Sequence, residues 1–332
     1  MKTAFFSTKS YDREYFDKSR ELEGHDITYF EVPLNVHTAR LAEGYDAVCI
    51  FVNDIADTET IHKLASLGVK AIALRCAGFN NVNLKTAYEN GIKVVRVPAY
   101  SPEAVAEHAV ALILTLNRKT HRAYNRVREG NFSIENLTGF NLYKKTIGVV
   151  GTGLIGTAFC RIMLGFGCKV VAFDIRQNQE LIEKGVIYEP LEKVLFESDI
   201  ISLHCPLNPS TAHMIDKNAI DKMKNGVMVI NTSRGGLVNS IDTIEGLKNG
   251  KIGYLGIDVY EQESELFFKD LSEMVIQDDV MARLISFPNV LVTGHLGFFT
   301  KEALEEITRI TLQNLSDLDA GRSLQNEVPY TA

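Results

Sequence analysis

The sequence predicts an α/β protein built from two doubly wound parallel sheets, and three observations carry that prediction. The chain has 332 residues, about twice the roughly 150 residues of an ordinary domain. Short β-rich runs alternate with helical stretches along nearly its whole length, the order expected of parallel strands joined by crossover helices. A glycine fingerprint in the middle of the chain opens a second series of strands after the first has closed.

The first series reads as strands near Thr3–Phe6, Ile27–Val32, Ala47–Phe51, Ala71–Leu74 and Val94–Val97. A helix is expected between Asp57, a suitable N-cap, and Gly68, a suitable C-terminal stop. Ser101-Pro102-Glu103 then has the makings of a helix start: a serine cap, proline in the first helical position and an acid in the first turn, where the helix dipole favours it. The spacing Val105, Ala109, Leu112, Ile113, Leu116 extends that helix towards Gly130. So long a helix suits a domain junction, a subunit interface or burial on one domain.

The second series comprises Thr146–Val150, Lys169–Phe173, Ile200–His204, Val227–Asn231, Tyr254–Ile257 and Val290–Thr293, six strands that complete a second domain. After it, Thr300 can cap a helix carrying Leu304, Ile307, Ile310 and Leu315. That tail is too short for a domain of its own and is expected to pack back on the first unit, making it discontinuous. The expected boundaries are 1–99 with 299–332 for one domain and 100–298 for the other. The least regular stretch, Gln262 to Asp279, is acidic, carries Phe267-Phe268 and suits a surface loop, a lid or an interface arm.

Composition narrows the function. Lys plus Arg is 35 and Asp plus Glu is 42, a formal charge of −7, so no net positive field is available for a nucleic-acid backbone. The five cysteines (Cys49, Cys76, Cys160, Cys168, Cys205) are odd in number and contain no C-x-x-C, which suits a reducing, cytoplasmic setting. No apolar run approaches the ~18 residues of a membrane span, and the histidines form no metal-ligand spacing.

Gly151-Thr152-Gly153-Leu154-Ile155-Gly156 directly follows an expected strand and opens a helical run. Gly151 permits the tight turn, Gly153 lets backbone approach a pyrophosphate, Gly156 allows close packing of helix on strand, and the helix N-terminus favours the anion. The next strand ends in Asp174, 18 residues beyond Gly156, where an acid can hold an adenosine ribose diol. An acid there repels a 2′-phosphate, so NAD is expected over NADP; Arg176 keeps the second cofactor open.

Ligands of open α/β sheets bind beyond the carboxyl ends of the strands. Arg234, Asp258, Glu263 and His295 all follow expected strand ends. A guanidinium can hold a carboxylate bidentately, and a histidine near a carboxylate can exchange a proton near neutral pH. Together they suit one chemistry: anchor an acid, reduce its keto group, protonate the alkoxide. His108 sits at helical spacing and reads as packed or at an interface, while His204 either lines the cofactor site or simply ends its strand.

These residues resemble the D-isomer-specific 2-hydroxyacid dehydrogenases, most closely the bacterial fermentative D-lactate branch, over essentially the whole chain. The resemblance rests on Val97-Pro98-Ala99-Tyr100-Ser101-Pro102, the glycine fingerprint, His204-Cys205-Pro206-Leu207, Asn231-Thr232-Ser233-Arg234-Gly235-Gly236, Asp258-Val259-Tyr260-Glu261-Gln262-Glu263 and Gly294-His295-Leu296-Gly297-Phe298. It implies a Rossmann-type NAD domain inserted in a smaller flavodoxin-like substrate domain. It further implies that Arg234 binds the substrate carboxylate, that His295 donates the proton, and that Glu263, not Glu261, tunes His295. Tyr100 and Phe298 match pocket positions, Ala77 and Gly78 the loop gripping the carboxylate, and Phe51 stands where some relatives have tyrosine. For NAD the matching positions are Leu154 and Ile155 over the pyrophosphate, Asp174 at the ribose, Cys205, Pro206 and Thr211 on the adenosine side, and Thr232 and Asp258 towards the nicotinamide, with Ser233 a further cofactor position. The implied reaction is NADH-dependent reduction of pyruvate to D-lactate, with domain closure, in a homo-oligomer (dimer or tetramer). A relative acting on bulkier 2-keto acids and an NAD-sensing interaction protein of corepressor type are the alternatives.

Overall fold

The computed structural model describes residues 1–330 and divides into two compact units, Met1–Ser101 with Phe299–Ala332, and Pro102–Phe298. In the first unit, β1 (Lys2–Phe5), β2 (Asp26–Tyr29), β3 (Ala47–Ile50), β4 (Ala71–Leu74) and β5 (Lys93–Arg96) form an all-parallel sheet in the order β2-β1-β3-β4-β5. The central strands β3 and β4, AVCI and AIAL, are buried at every residue, as strands covered by helices on both faces must be. The Asp57 carboxylate caps its helix by accepting from Thr60 N at 2.9 Å, and the Thr300 hydroxyl accepts from Ala303 N to start the helix Lys301–Asp319. That helix sets Leu312 and Leu315 against Phe5, Phe16 and Ala73. The strand expected over 27–32 stops at Tyr29, and the helices Ser10–Glu23 and Leu84–Glu89 come in addition to the expected elements. The reason is visible in the former: of residues 10–19 only Asp12 and Phe16 are buried, too few to write a helical period into the sequence.

In the second unit, β6 (Thr146–Val150), β7 (Lys169–Phe173), β8 (Ile187–Tyr188), β9 (Ile200–Leu203), β10 (Val227–Asn231), β11 (Ile252–Ile257) and β12 (Val290–Val292) form a seven-stranded parallel sheet, ordered β12-β11-β10-β9-β6-β7-β8. Alternate residues feed two cores: Val227, Val229, Leu255 and Ile257 enter one, Ile147, Val149, Met228 and Ile230 the other, as the two-residue period of a strand requires. The strand order reverses between β6 and β9, which opens a crevice at their carboxyl ends.

Two expectations need correction here. The sheet has a seventh strand, β8, whose two residues are too short to show a pattern. The long helix from Pro102 ends at Arg118, and a second helix runs Thr120–Arg128. Lys119 between them is left-handed (φ 51°) and its ammonium donates to the carbonyls of Asn136 and Thr138; the preceding Asn117 side chain is buried and bonds both backbone groups of Phe140. These returning segments reward the break, which no local propensity shows. The apolar stripe of the first helix lies in the core of its own unit.

Candidate active site and dinucleotide cleft

Along the carboxyl edge of the seven-stranded sheet, the predicted residues fall in spatial order. Asp174 follows β7, the glycine turn follows β6, Cys205-Pro206 follows β9, Thr232, Ser233 and Arg234 follow β10, Asp258 and Glu263 follow β11, and His295 follows β12.

The glycine turn is sterically specified at two of its three glycines. Gly151 has φ 94°, and a Cβ there would lie 2.7 Å from Cys205 N; a Cβ on Gly156 would collide with the Gly151 carbonyl. A Cβ on Gly153 would meet nothing within 4 Å, so that glycine leaves room for a ligand. It also stands before the helix Leu154–Gly165, whose N-terminus carries no side-chain cap, leaving N–H groups for an anion. Leu154 is 65% exposed at the mouth of this turn, and Ile155 is half-buried.

Asp174 accepts from Thr152 N at 2.5 Å, from the Thr152 hydroxyl at 3.0 Å and from Arg176 N at 2.9 Å. The Arg176 side chain is exposed. Cys205 is buried, which pushes its thiol up to about 11, so it is no thiolate at neutral pH. Its carbonyl accepts from the Ser233 hydroxyl at 2.7 Å, tying the β9 loop to the β10 loop. Thr211 closes the 206–211 loop by donating to Pro206 O at 2.7 Å. The Thr232 hydroxyl is buried without a partner among the described residues, a polar group waiting for one. His204 is half-buried against Phe159 with its Nε2 on the Ser202 hydroxyl at 2.9 Å. Burial pushes its pKa down to about 3, which removes it from proton transfer.

At the other end of the edge, His295 Nδ1 lies 2.9 Å from Glu263 Oε1, with side chains 18% and 25% exposed. Glu263 Oε2 accepts from Tyr260 N at 3.1 Å, which fixes the carboxylate. With Nδ1 engaged by an acceptor, the imidazole carries its proton there and leaves Nε2 for exchange. His295 itself is left-handed (φ 54°), a conformation that costs about 1–3 kcal/mol and persists only where its surroundings hold it.

Asp258 does that holding. Its oxygens accept from the Thr293 hydroxyl at 2.5 Å, Leu296 N at 2.9 Å and Gly297 N at 2.8 Å, and His108 Nε2 is 3.2 Å away. Burial alone would raise its pKa, but His108, Thr293 and the Leu296 amide together hold the carboxyl below the ordinary aspartate value. Sequence reasoning placed Asp258 towards the nicotinamide and missed this role. Thr293 and His108 were missed as its partners because nothing in the sequence links positions 108 and 258. His108 is packed, as its spacing indicated.

Arg234 is half-buried, donates Nη1 to Ser233 O at 2.6 Å and has no carboxylate partner among the described residues. It is not a structural ion pair, and its remaining donors suit an incoming anion. Gly235 must be glycine, because a Cβ there would collide with the backbone of Tyr260 and Glu261; the arginine turn is thereby pressed onto the segment that carries Glu263.

In the first unit, Phe51 is buried with the Arg75 guanidinium 5.1 Å from its ring centroid, and its N–H donates to Asp54 at 2.6 Å. The Ala77 carbonyl accepts from Arg96 at 2.7 Å and that of Gly78 from the Cys76 thiol at 3.3 Å, which fixes this loop. Tyr100 is half-buried. Phe298, in the second unit, is buried. Among the described residues no cluster of three or more His, Cys, Asp or Glu could hold a metal, and no helix is long and apolar enough to cross a membrane.

A parallel sheet with a glycine turn at its switch point and a paired imidazole and an unpaired guanidinium further along defines the class: a dinucleotide-dependent oxidoreductase acting on an anionic carbonyl compound. The model of the D-isomer specific 2-hydroxyacid dehydrogenase NAD binding domain matches residues 110–297. The chain is 54% identical to a D-lactate dehydrogenase of Escherichia coli over 99% of its own length and 100% of the relative's. The apo-structure of the Escherichia coli enzyme superposes with a TM-score of 0.91 at 52% identity, covering 99% of this chain and 100% of that one. A D-lactate dehydrogenase of Aquifex aeolicus in complex with NAD and lactic acid does so with 0.88 at 33% identity and the same coverage. The chain belongs to the D-isomer specific 2-hydroxyacid dehydrogenase family and uses NAD. The residues present fit that cofactor: the open side of Gly153, the uncapped helix start and the Thr232 hydroxyl, orphaned among the described residues, are groups a dinucleotide would engage.

Proposed function

We infer that this chain catalyses the reversible, NADH-dependent reduction of pyruvate to D-lactate. The observation that carries this reading is the His295–Glu263 pair at 2.9 Å, on the strand ends next to the one that carries the unpaired Arg234. NADH, held at the fingerprint turn Gly151–Gly156, would supply a hydride for the keto carbon of pyruvate. Arg234 holds the substrate carboxylate and polarises the carbonyl. His295, as imidazolium, delivers its Nε2 proton as alkoxide charge develops, and Glu263 holds the ring and stabilises its positive charge. In the oxidative direction the neutral ring takes the hydroxyl proton.

For the cofactor we assign Gly151, Gly153, Leu154, Ile155 and Gly156 to the pyrophosphate, Asp174 to the adenosine ribose, and Cys205, Pro206 and Thr211 to the adenosine side. Thr232 and Ser233 face the nicotinamide half, and Asp258 serves it by holding the 293–297 turn. Phe51, Tyr100 and Phe298 supply apolar surface suited to a methyl group, and the Ala77-Gly78 backbone supplies donors to the carboxylate. The test is steady-state oxidation of NADH with pyruvate, with chiral analysis of the product. Turnover of 2-ketoisocaproate but not pyruvate would move the assignment to bulkier 2-keto acids.

The exposed Phe132, Ile134 and Tyr143 favour a homo-oligomer, dimer or tetramer, and light scattering that shows only monomer removes it. Five free cysteines, all buried, favour the cytoplasm, which cell fractionation tests.

A further inference from the structure

A chain of hydroxyl groups leads away from Asp174 into the edge of the sheet. Thr152, the residue between the first two fingerprint glycines, donates its hydroxyl to Asp174 Oδ2 at 3.0 Å. Tyr188, on the two-residue strand β8, donates its phenol to Thr152 Oγ1 at 2.9 Å. Asn178 N donates to the Tyr188 oxygen at 3.0 Å. Asn178 is itself anchored: its Oδ1 caps the helix Gln179–Glu183 by accepting from Glu180 N, and its Nδ2 donates to the Thr157 hydroxyl at 3.1 Å, which donates to Thr152 O at 3.0 Å.

The direction of this chain is set at both ends. An amide N–H can only donate, and an ionised carboxylate can only accept, so both intervening hydroxyl protons must point towards Asp174. Bonds aligned in one sense polarise one another. With Thr152 N on Oδ2 and Arg176 N on Oδ1, both carboxylate oxygens are located before any ligand arrives, and a group ordered in advance spares the ligand that ordering.

We propose that the Tyr188–Thr152 hydroxyl relay positions Asp174 for the adenosine ribose diol and thereby sets the strength of the preference for NADH over NADPH. The proposal rests on the assignment of Asp174 to the ribose. Tyr188 and Thr152 act as positioning residues. Their loss should weaken the diol contact and leave the negative charge that repels a 2′-phosphate in place. NADH binding should therefore suffer and NADPH binding should not. Loss of Asp174 itself should do both things, weakening NADH and admitting NADPH.

The experiment measures dissociation constants of NADH and NADPH by fluorescence titration of the full chain, without turnover, for the wild type, Tyr188→Phe, Thr152→Val, the double variant and Asp174→Ala. Steady-state KM and kcat are measured in parallel, and melting curves report folding. Removing one hydrogen bond should raise the NADH Kd about 3- to 10-fold in Tyr188→Phe, with KM rising and kcat holding. Once Thr152→Val has cut the chain, Tyr188→Phe should add nothing further. Should Tyr188→Phe melt early, Thr152→Val removes the same link without touching the edge strand and gives the same readout. Equal weakening of both cofactors, or a Tyr188→Phe effect that persists in full in the Thr152→Val background, overturns the relay. If Asp174→Ala shifts the constants and the two relay variants do not, the relay alone falls. If Asp174→Ala leaves both constants unchanged, the ribose assignment falls and the relay with it.

Discussion

Glu261 and Glu263 leave the same turn after β11 and each meets a histidine, Glu261 at His213 Nε2 (2.6 Å) and Glu263 at His295 Nδ1 (2.9 Å). Both histidines are left-handed, with φ of 49° and 54°, so neither the pairing nor the backbone strain tells them apart. The second carboxylate oxygen differs. Glu261 Oε2 accepts both the N–H and the hydroxyl of Ser240 at the start of the helix Ser240–Lys248, where a negative charge is stabilising. Among the described residues Glu263 Oε2 meets only the Tyr260 N–H, in its own turn. The His213 side chain is 49% exposed and that of His295 18%. One pair is a staple between a loop and a helix end, and the other is the more screened pair to which we assign proton transfer. A carboxylate–imidazole contact identifies a catalytic acid only when its place on the sheet and its remaining bonds are known.

The largest effect should separate the histidines. His295→Ala should lower kcat for pyruvate reduction about 10²- to 10⁴-fold, the usual contribution of a general acid, with the NADH Kd unchanged. His213→Ala in the same assay should leave kcat close to wild type. The reverse pattern would exchange the two roles.

Glu263→Gln should follow, with kcat down about 10²-fold, near the lower end of that range. The amide can offer an N–H to Nδ1, which favours the wrong tautomer, and it withdraws the charge that stabilises imidazolium. Retention of full activity would make Glu263 a second staple.

Arg234 sharpens the comparison from outside, since its turn presses on Tyr260-Glu261. Arg234→Lys keeps the charge and loses the planar fork. Loss of a charged hydrogen bond worth about 1.5–3 kcal/mol should lower kcat/KM about 10- to 150-fold. An unchanged KM for pyruvate would place the guanidinium with the structural pair.

Asp258 should show itself mainly in stability. Its carboxyl is held below the ordinary value, so the stability it contributes is present above the unfolded-state pKa of about 3.9 and is lost as pH falls below about 4 through the folded value. Asp258→Asn puts an amide where two backbone N–H groups need acceptors and should destabilise the fold by about 1–3 kcal/mol. Thermal melts between about pH 3 and pH 6 should show the wild type losing stability at the acid end and the variant following a flatter course. Parallel curves would remove Asp258 from that titration.

The smallest effect should be that of Glu261→Gln. Loss of a charge at a helix start, about 1 kcal/mol, should lower Tm by about 2–4 °C with kcat unchanged. A normal Tm with impaired turnover would contradict the assignment of the two glutamates.

Much of the site was legible in the sequence because it is local. Gly151, Gly156 and Asp174 belong to one strand–turn–helix–strand unit, and their spacing follows from the dimensions of that unit. Arg234, Glu263 and His295 each follow a strand of one sheet, and in a parallel sheet every strand presents its carboxyl end to the same edge. What was missed joins segments distant in the chain. The break at Lys119 is rewarded by carbonyls at 136 and 138. β8 has only two residues in which to write a period. The partners of Asp258 were hidden because a motif shows only neighbours in sequence, while His108 and Thr293 come from other elements.

By itself the sequence determined the α/β class and the dinucleotide turn, because strand period, helix caps and glycine sterics act within a few residues. It also determined which side chains reach the reactive edge, because parallel strands all deliver to one side. Only the tertiary structure decided what the other carboxylate does, since the resemblance paired Glu263 with His295 and left Glu261 without a partner, which the fold supplies in His213 and Ser240. Glu261 and Glu263 are two residues apart in one turn, and their roles diverge through contacts with Ser240, His213 and His295, groups that come near only when strands β9 to β12 lie side by side.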